Sequence, residues 1–181
     1  MLVKTVFSGF GGQGVLMMGY LLALAGMRED RHVTYLPAYG AEVRGGTANC
    51  TVVVSSEEIA SPIASSPEYA VVMNYPSMLK YQNNVKANGV MFLNSDLIEE
   101  RPSRPDLEIV EVPANSMAHE LGNDRALNIV MMGAFVQKTG AVKIDTMLAA
   151  VKEILSGKNK AIVEVNQKAL IRGAEYVAGG K

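Results

Sequence analysis

The 181-residue sequence has no tryptophan, four phenylalanines, two histidines and one cysteine. Each scarcity excludes something. The lone thiol, Cys50, cannot form an internal disulfide, and it cannot hold an iron–sulfur cluster alone, because such a cluster takes about four cysteine ligands. So little cysteine fits a reducing, cytoplasmic setting. His32 and His119 lack a second histidine or cysteine at metal-ligand spacing, so no metal site is expected on this chain. His32 is expected at a strand edge, and His119 on the surface or at a cap. No charge of one sign dominates: 17 basic residues face 18 acidic ones, for a net charge of −1. A nucleic-acid binder would show a basic surplus or stripe, so no nucleic-acid partner is expected. G-x-S-x-G, H-E-x-x-H and Walker A patterns are all missing.

Long hydrophobic runs are missing too. The greasiest stretch, VLMMGYLLALA at residues 15–25, is far short of the about 20 residues that cross a bilayer. It follows FSGFGGQG, a glycine cluster that would interrupt a signal peptide. It reads as a helix buried on nearly all sides, with no membrane contact.

What is present is a core-forming composition. Apolar residues make up 49%, mean hydropathy is +0.13, and there are 11 methionines. Disorder as the main state is excluded, and the greasiness points to contact with partner subunits. Strand-like and helix-like segments alternate. Strands are expected at residues 2–8, 33–36 (stopped by Pro37), 47–55, 69–73, 89–93 and 107–112. Helices are expected at 15–27, 76–86, 116–121, 126–139, 144–155 and 160–177. In the third strand, Cys50, Val52 and Val54 share one face, and Asn49, Thr51 and Val53 the other. No repeat or linker divides residues 1–181. The expectation is a single Rossmann-like α/β domain, a mainly parallel sheet flanked by helices.

Three segments carry chemistry. Gly9, Gly11 and Gly14 satisfy G-x-G-x-x-G between a strand and a helix, the context of a dinucleotide or phosphate turn. Yet the acidic residue about 20 positions on that would hold a ribose is missing; that region reads HVTYLPAYG. Gly12 and Gln13 are further additions. The turn therefore reads as a ligand contact, a dinucleotide site or a packing connection. The loop YGAEVRGG, residues 39–46, brackets Glu42 and Arg44 with Gly40, Gly45 and Gly46. Arg44 offers a planar fork for a carboxylate, a phosphate or a partner's acid; the bland alternative is a solvated pair. In NDRALNIVMMGAF, residues 123–135, Asn123 or Asp124 caps a helix, and Arg125 lies on its first turn. Asn128 sits among apolar neighbours and needs a partner if buried. Met131, Met132 and Phe135 read as core or subunit contact.

GFGGQGV, LPAYGAEVRGGTANC and NIVMMGA, in this order and at these separations, resemble the gamma subunit of 2-oxoacid:ferredoxin oxidoreductases. The resemblance covers nearly the full length, and the YGxEVRGG block is its most specific part. Ala41 stands where the family often has proline. The resemblance implies a subunit of a complex that oxidatively decarboxylates pyruvate, 2-oxoglutarate or a branched-chain 2-oxoacid to acyl-CoA and carbon dioxide. The complex would use thiamine diphosphate, magnesium, iron–sulfur clusters and coenzyme A, and would pass electrons to ferredoxin. This chain would bind none of those cofactors alone and would not catalyse alone. Its partners would be alpha and beta subunits and, as an optional one, a ferredoxin-like delta subunit. By the same resemblance, Gly9, Gly11, Gly12, Gln13 and Gly14 would line the inter-subunit surface near the cofactor and coenzyme A cleft. Tyr39, Gly40, Glu42, Arg44, Gly45, Gly46, Asn49 and Asn128 would join them. Two rivals remain: a free-standing dinucleotide-dependent reductase, and a purely structural assembly subunit.

Overall fold

The computed structural model describes residues 1–39 and 47–179. Valine-rich and aromatic segments form a six-stranded sheet: β1 (Leu2–Phe10), β2 (His32–Tyr39), β3 (Thr47–Ser55), β4 (Tyr69–Val72), β5 (Val90–Asn94) and β6 (Glu108–Val112). Their spatial order is β2-β3-β1-β4-β5-β6. The helices are α1 (Val15–Arg28), α2 (Tyr75–Tyr81), α3 (Ala114–Glu120), α4 (Leu127–Thr139), α5 (Ile144–Ile154) and α6 (Lys160–Ala178), with a 3-10 turn at Asp124–Ala126 before α4. Strands β1, β4, β5 and β6 are parallel. Only β3 runs against its neighbours, β1 and β2. The expected mainly parallel α/β sheet is what forms. The reversal has a simple cause. Residues 40–46 are too few for a parallel crossover, which takes a dozen or more.

Most element boundaries shift by a residue or two from the sequence-based expectation, and three of the shifts have a clear physical setting. Strand β2 does not stop at Pro37 but continues to Tyr39, with Pro37 opposite Cys50. It is an edge strand, where a residue without an N–H is tolerated. Strand β1 runs past Ser8 because β3 still pairs with it, Gly9 opposite Ala48 and Phe10 opposite Thr47. Helix α2 ends at Tyr81 instead of reaching residue 86. It starts as its sequence directs: the Asn74 side-chain oxygen accepts from Ser77 N at 3.0 Å, and Pro76 stands in the first turn, where its missing N–H is not needed.

Two apolar layers cover the sheet. Helix α1 and the C-terminal helices pack on one face, over Phe7, Val52, Val54, Val71 and Phe92. Helix α2 packs on the other, over Val6, Ala70, Val72 and Met91. Phe135 of α4 anchors the first layer, edge-on to Phe7 and Phe92 at centroid distances of 5.6 and 5.5 Å. Helix α1 lies close on β3 because Gly19 has no side chain; a Cβ there would run into the Cys50 sulfur. Helices α4 and α6 cross with backbones in contact, Gly133 against the Leu170 carbonyl and Gly173 against the Val130 carbonyl. Among the described residues no helix is long and apolar enough to cross a membrane.

This layering creates a reversal in winding. From β1 the chain crosses by α1 toward the β2 edge, and from β4 it crosses by α2 toward the β6 edge. The helices leave on opposite faces, so a crevice opens at the carboxyl ends of β1 and β4. Open α/β sheets place ligands at such a switch point.

Candidate functional site

The glycine turn stands at that crevice. Gly12 (φ 95°) and Gly14 (φ 72°) both take left-handed backbone, which glycine adopts without a Cβ penalty. The turn is then locked by Gln13. Its side-chain oxygen accepts from Phe10 N at 2.7 Å and from Asn74 Nδ2 at 3.1 Å, while its Nε2 donates to Met73 O at 3.2 Å. Gln13 thus ties the end of β1 to the end of β4 and the cap of α2. Beneath it, Ser8 Oγ donates to Ser77 Oγ at 3.0 Å. Gly9 must be glycine here, since a Cβ would strike Gln13, Val15 and Met73. In a dinucleotide site, free N–H groups at this turn face a phosphate. Here the Phe10 N–H is already taken by an internal amide oxygen.

On the other side of the turn lies an open cleft of about 1030 Å³. The turn supplies Gly12 and Gly14, and α4 supplies Asn128. The 3-10 turn supplies Asn123 and Arg125, and the turn into α6 supplies Lys158 and Asn159. Asn128 packs directly on Gly14, where a Cβ would overlap its side chain. Its Nδ2 reaches Gly14 O at 3.4 Å, long for an N–H···O bond, and the Met17 sulfur at 3.5 Å. Asn123 Oδ1 accepts from Arg125 N at 3.2 Å, so Asn123 caps the 3-10 turn, whereas α4 itself, the helix expected to carry the cap, starts on Ala126 with no side-chain cap. Helix α6 begins on Asn159, whose side-chain oxygen accepts from Ile162 N at 2.9 Å.

The structure distributes the residues singled out in the sequence. Gly12, Gly14 and Asn128 meet in the cleft; Gln13 and Gly9 belong to the lock on the α2 side; Gly11 is exposed with open space around it. Asn49 pairs with Ser8 in register and alternates with Cys50, so it lies on the sheet face away from α1. Gly40, Glu42, Arg44, Gly45 and Gly46 lie outside the described residues, and of Tyr39 only the backbone falls within them. The strand ends flanking that loop are placed: Tyr39 and Gly9 both stand opposite Ala48. The loop and the glycine turn therefore spring from the same end of the sheet. Met131, Met132 and Phe135 are core, as expected. His32 opens the edge strand β2, and His119 is an exposed residue whose Nδ1 lies 2.9 Å from Asp124. Cys50 is buried behind α1, its sulfur 3.6 Å from Val15 O, and burial pushes its thiol up to about 12.

Lys158 and Asn166 escaped the sequence reading. One signal was there. Lys158 and Lys160 flank the cap of α6, and cations at the positive end of a helix dipole are unfavourable unless something anionic sits there.

Known proteins share this fold. Residues 4–176 match the family model described as pyruvate ferredoxin/flavodoxin oxidoreductase. The ketoisovalerate oxidoreductase subunit VorA of Methanothermobacter marburgensis is 37% identical over 176 residues, 96% of this chain and 36% of VorA. The chain thus spans about a third of that relative's length. The 2-oxoglutarate synthase subunit KorC of the same organism is 31% identical, with 96% of each chain covered. The crystal structure of the gamma subunit of a keto/oxoacid ferredoxin oxidoreductase from Geobacter sulfurreducens superposes with a TM-score of 0.84 at 27% identity, covering 98% of this chain and 99% of that one. The chain belongs to the pyruvate ferredoxin/flavodoxin oxidoreductase family, and within it to the gamma-subunit type.

Proposed function

We propose that this chain is the gamma subunit of a cytoplasmic complex that oxidatively decarboxylates a 2-oxoacid to acyl-CoA and carbon dioxide, passing electrons to ferredoxin. The observation that carries the reading is near end-to-end likeness to KorC, whose length it matches, together with the match to the gamma-subunit structure. The alpha and beta subunits and an optional ferredoxin-like delta subunit are the partners. Thiamine diphosphate, magnesium and the clusters do not fit the residues of this chain. Its one cysteine is buried behind α1, and its sequence has no Gly-Asp-Gly run for magnesium and diphosphate. Those groups belong to the partners. This chain contributes the glycine-turn end of its sheet to the inter-subunit surface beside coenzyme A. Gln13 speaks against the rival dinucleotide reductase, because its amide oxygen already takes the Phe10 N–H and the Asn74 amide, two donors at this turn that a phosphate could otherwise use.

The test is anaerobic capture of the tagged chain from its native extract, with assay for iron, thiamine diphosphate and coenzyme-A-dependent oxidation of several 2-oxoacids. Larger partners bearing all three support the reading, and the best-turned-over oxoacid names the substrate. A clean monomer or homodimer that carries none of them and binds a dinucleotide overturns it. Within the complex, Arg44 is the residue we assign to an incoming carboxylate or phosphate. Arg44→Ala should raise the KM for the 2-oxoacid or for coenzyme A about tenfold, the loss of roughly one charge-assisted hydrogen bond. Two unchanged KM values would remove Arg44 from the site.

A further inference from the structure

Helix α1 breaks a rule that the other long helices keep. From Val15 to Met27 it carries no charged residue, and Arg28, its only ion, is paired with Glu153. A helix that is apolar on every side belongs in an interior. Helix α4 obeys, with residues 128–136 all buried. Helices α5 and α6 obey in the other way, turning Asp145, Lys152, Glu164, Lys168 and Arg172 to water. Helix α1 does neither. Its inner side packs on the sheet over Phe7, Val52 and Val54, but Met17, Tyr20 and Met27 are 37%, 50% and 56% exposed. Leu24, between them, is only partly buried.

Residues 17, 20, 24 and 27 are three, four and three apart, so they stand in one row along the helix. That is the spacing of a seam between two packed helices. Charges return only past its end, at Glu29, Asp30 and Arg31. An apolar centre with a polar rim is the anatomy of an interface.

The size of the row decides what covers it. A large side chain offers about 200 Å², and at somewhat under half exposure the four together offer roughly 300 Å². A stable interface covers about 800 Å² on each partner. Two copies of this chain meeting through α1 alone would fall well short. The covering surface must therefore be held elsewhere on this chain as well. The row begins at Met17, three residues after Gly14, so it continues from the glycine-turn end, where the function proposed above puts a partner subunit.

We propose that Met17, Tyr20, Leu24 and Met27 form a docking seam for an uncharged helix face of a partner subunit, whose own apolar residues repeat at three and four along α1. The proposal rests on the gamma-subunit reading, which supplies the partner already held at the glycine turn.

The experiment uses the complex assembled from co-expressed subunits. Tyr20 is replaced by photoreactive benzoylphenylalanine, the intact complex is irradiated, and the cross-linked peptide is sequenced by mass spectrometry. The expected peptide belongs to another subunit and has apolar residues three and four apart on an uncharged face. A cross-link to a second copy of this chain, a cross-link within this chain only, or a peptide without that spacing overturns the proposal. In parallel, Tyr20→Lys with Met27→Lys is compared with Ile171→Lys, a control on α6 whose side chain is also exposed. Circular dichroism and thermal unfolding of the isolated chains check the fold, and Met27→Lys alone, at the most exposed of the four positions, carries the comparison should the pair weaken it. The seam variant should bind its partners at least about tenfold more weakly, while Ile171→Lys binds as the unsubstituted chain does. Equal binding by the seam variant and the control overturns the seam and leaves the gamma-subunit reading in place. An unsubstituted chain that joins no partner overturns that reading, and the seam with it.

Discussion

Gln13 is the residue on which the glycine turn depends. Three hydrogen bonds from one side chain hold the ends of β1 and β4 together. Truncation would leave the Phe10 N–H and the Met73 carbonyl to find other partners. Gln13→Ala should therefore lower unfolding free energy by about 1–3 kcal/mol, read by denaturant unfolding with an unchanged m-value. An effect below a few tenths would mean that water replaces the amide without loss. Cys50 allows a sharper test. Desolvation raises its pKa from 9.0 to about 12, the backbone at Gly19 offsetting a little of the rise. A thiol that ionises later in the folded state than in the unfolded one gives a stability contribution that is full below pH 9. That contribution is lost as pH climbs from about 9 toward 12. At pH 8 the folded chain should resist a thiol-alkylating reagent, while the denatured chain reacts at an ordinary rate. Rapid alkylation of the folded chain would show that α1 lifts from β3.

Among the elements, the α4–α6 crossing is where two rules oppose each other. Gly133 and Gly173 lie inside helices, where alanine is better than glycine by about 1 kcal/mol. Each also touches the opposing backbone, where a methyl group would overlap a carbonyl. Overpacking usually costs about 1–3 kcal/mol, and a backbone obstacle cannot rotate away. The contact should win: Gly173→Ala is expected to destabilise by about 2 kcal/mol after the propensity gain, measured by thermal or denaturant unfolding. A stabilised variant would mean that α6 slides along α4 with ease. The crossing also shapes the cleft, because it fixes Asn128 of α4 and Asn166 of α6 along one wall.

The same crossing shows what was and was not legible in the sequence. Strand and helix identities followed from local pattern, so β1, α1, β3 and the C-terminal helices stood nearly where their periodicity put them. Pro37 misled, because the cost of proline in a strand depends on being at an edge, and a sequence read locally does not reveal its edges. The antiparallel β3 was readable in retrospect, since a seven-residue gap (40–46) leaves no room for a crossover. For the candidate site, Gly12, Gly14 and Asn128 were legible because glycine clusters and a polar residue in a greasy helix break local rules. Asn166 was not, and Lys158 showed only as a cation beside a helix start. They join the glycine turn only after α6 docks on α4, and no local rule encodes that contact.

At the scale of the whole molecule, the surface is uneven in a way that bears on assembly. Phe10, Met17, Tyr20 and Leu36 are all exposed. Phe10 is in the glycine-turn segment, Met17 and Tyr20 lie one helical turn apart on α1, and Leu36 is on the edge strand β2. The Tyr20 ring stands edge-on to Tyr35 at 6.2 Å, so α1 leans on one face of the edge strand, while Leu36 lies on its other face. Strand β2 also leaves one row of backbone groups unpaired, a feature proteins usually cover or blunt. The opposite edge, β6, carries charge instead, with Glu108 paired to Lys138 and Glu111 to Arg101 at 3.1 Å. A gamma-type subunit that meets its partners through the glycine-turn end should bury the first edge and leave the second in water. Amide hydrogen exchange on the isolated chain and on the assembled complex measures this directly. Residues 9–14 and 32–39 should exchange at least about tenfold more slowly in the complex, while residues 108–112 keep their rate, since exchange reports local opening and solvent access. Equal slowing at both edges would point to general rigidification. Slowing confined to β6 would place the partner interface on the wrong side for the proposed site, and the glycine turn would then be a packing device alone.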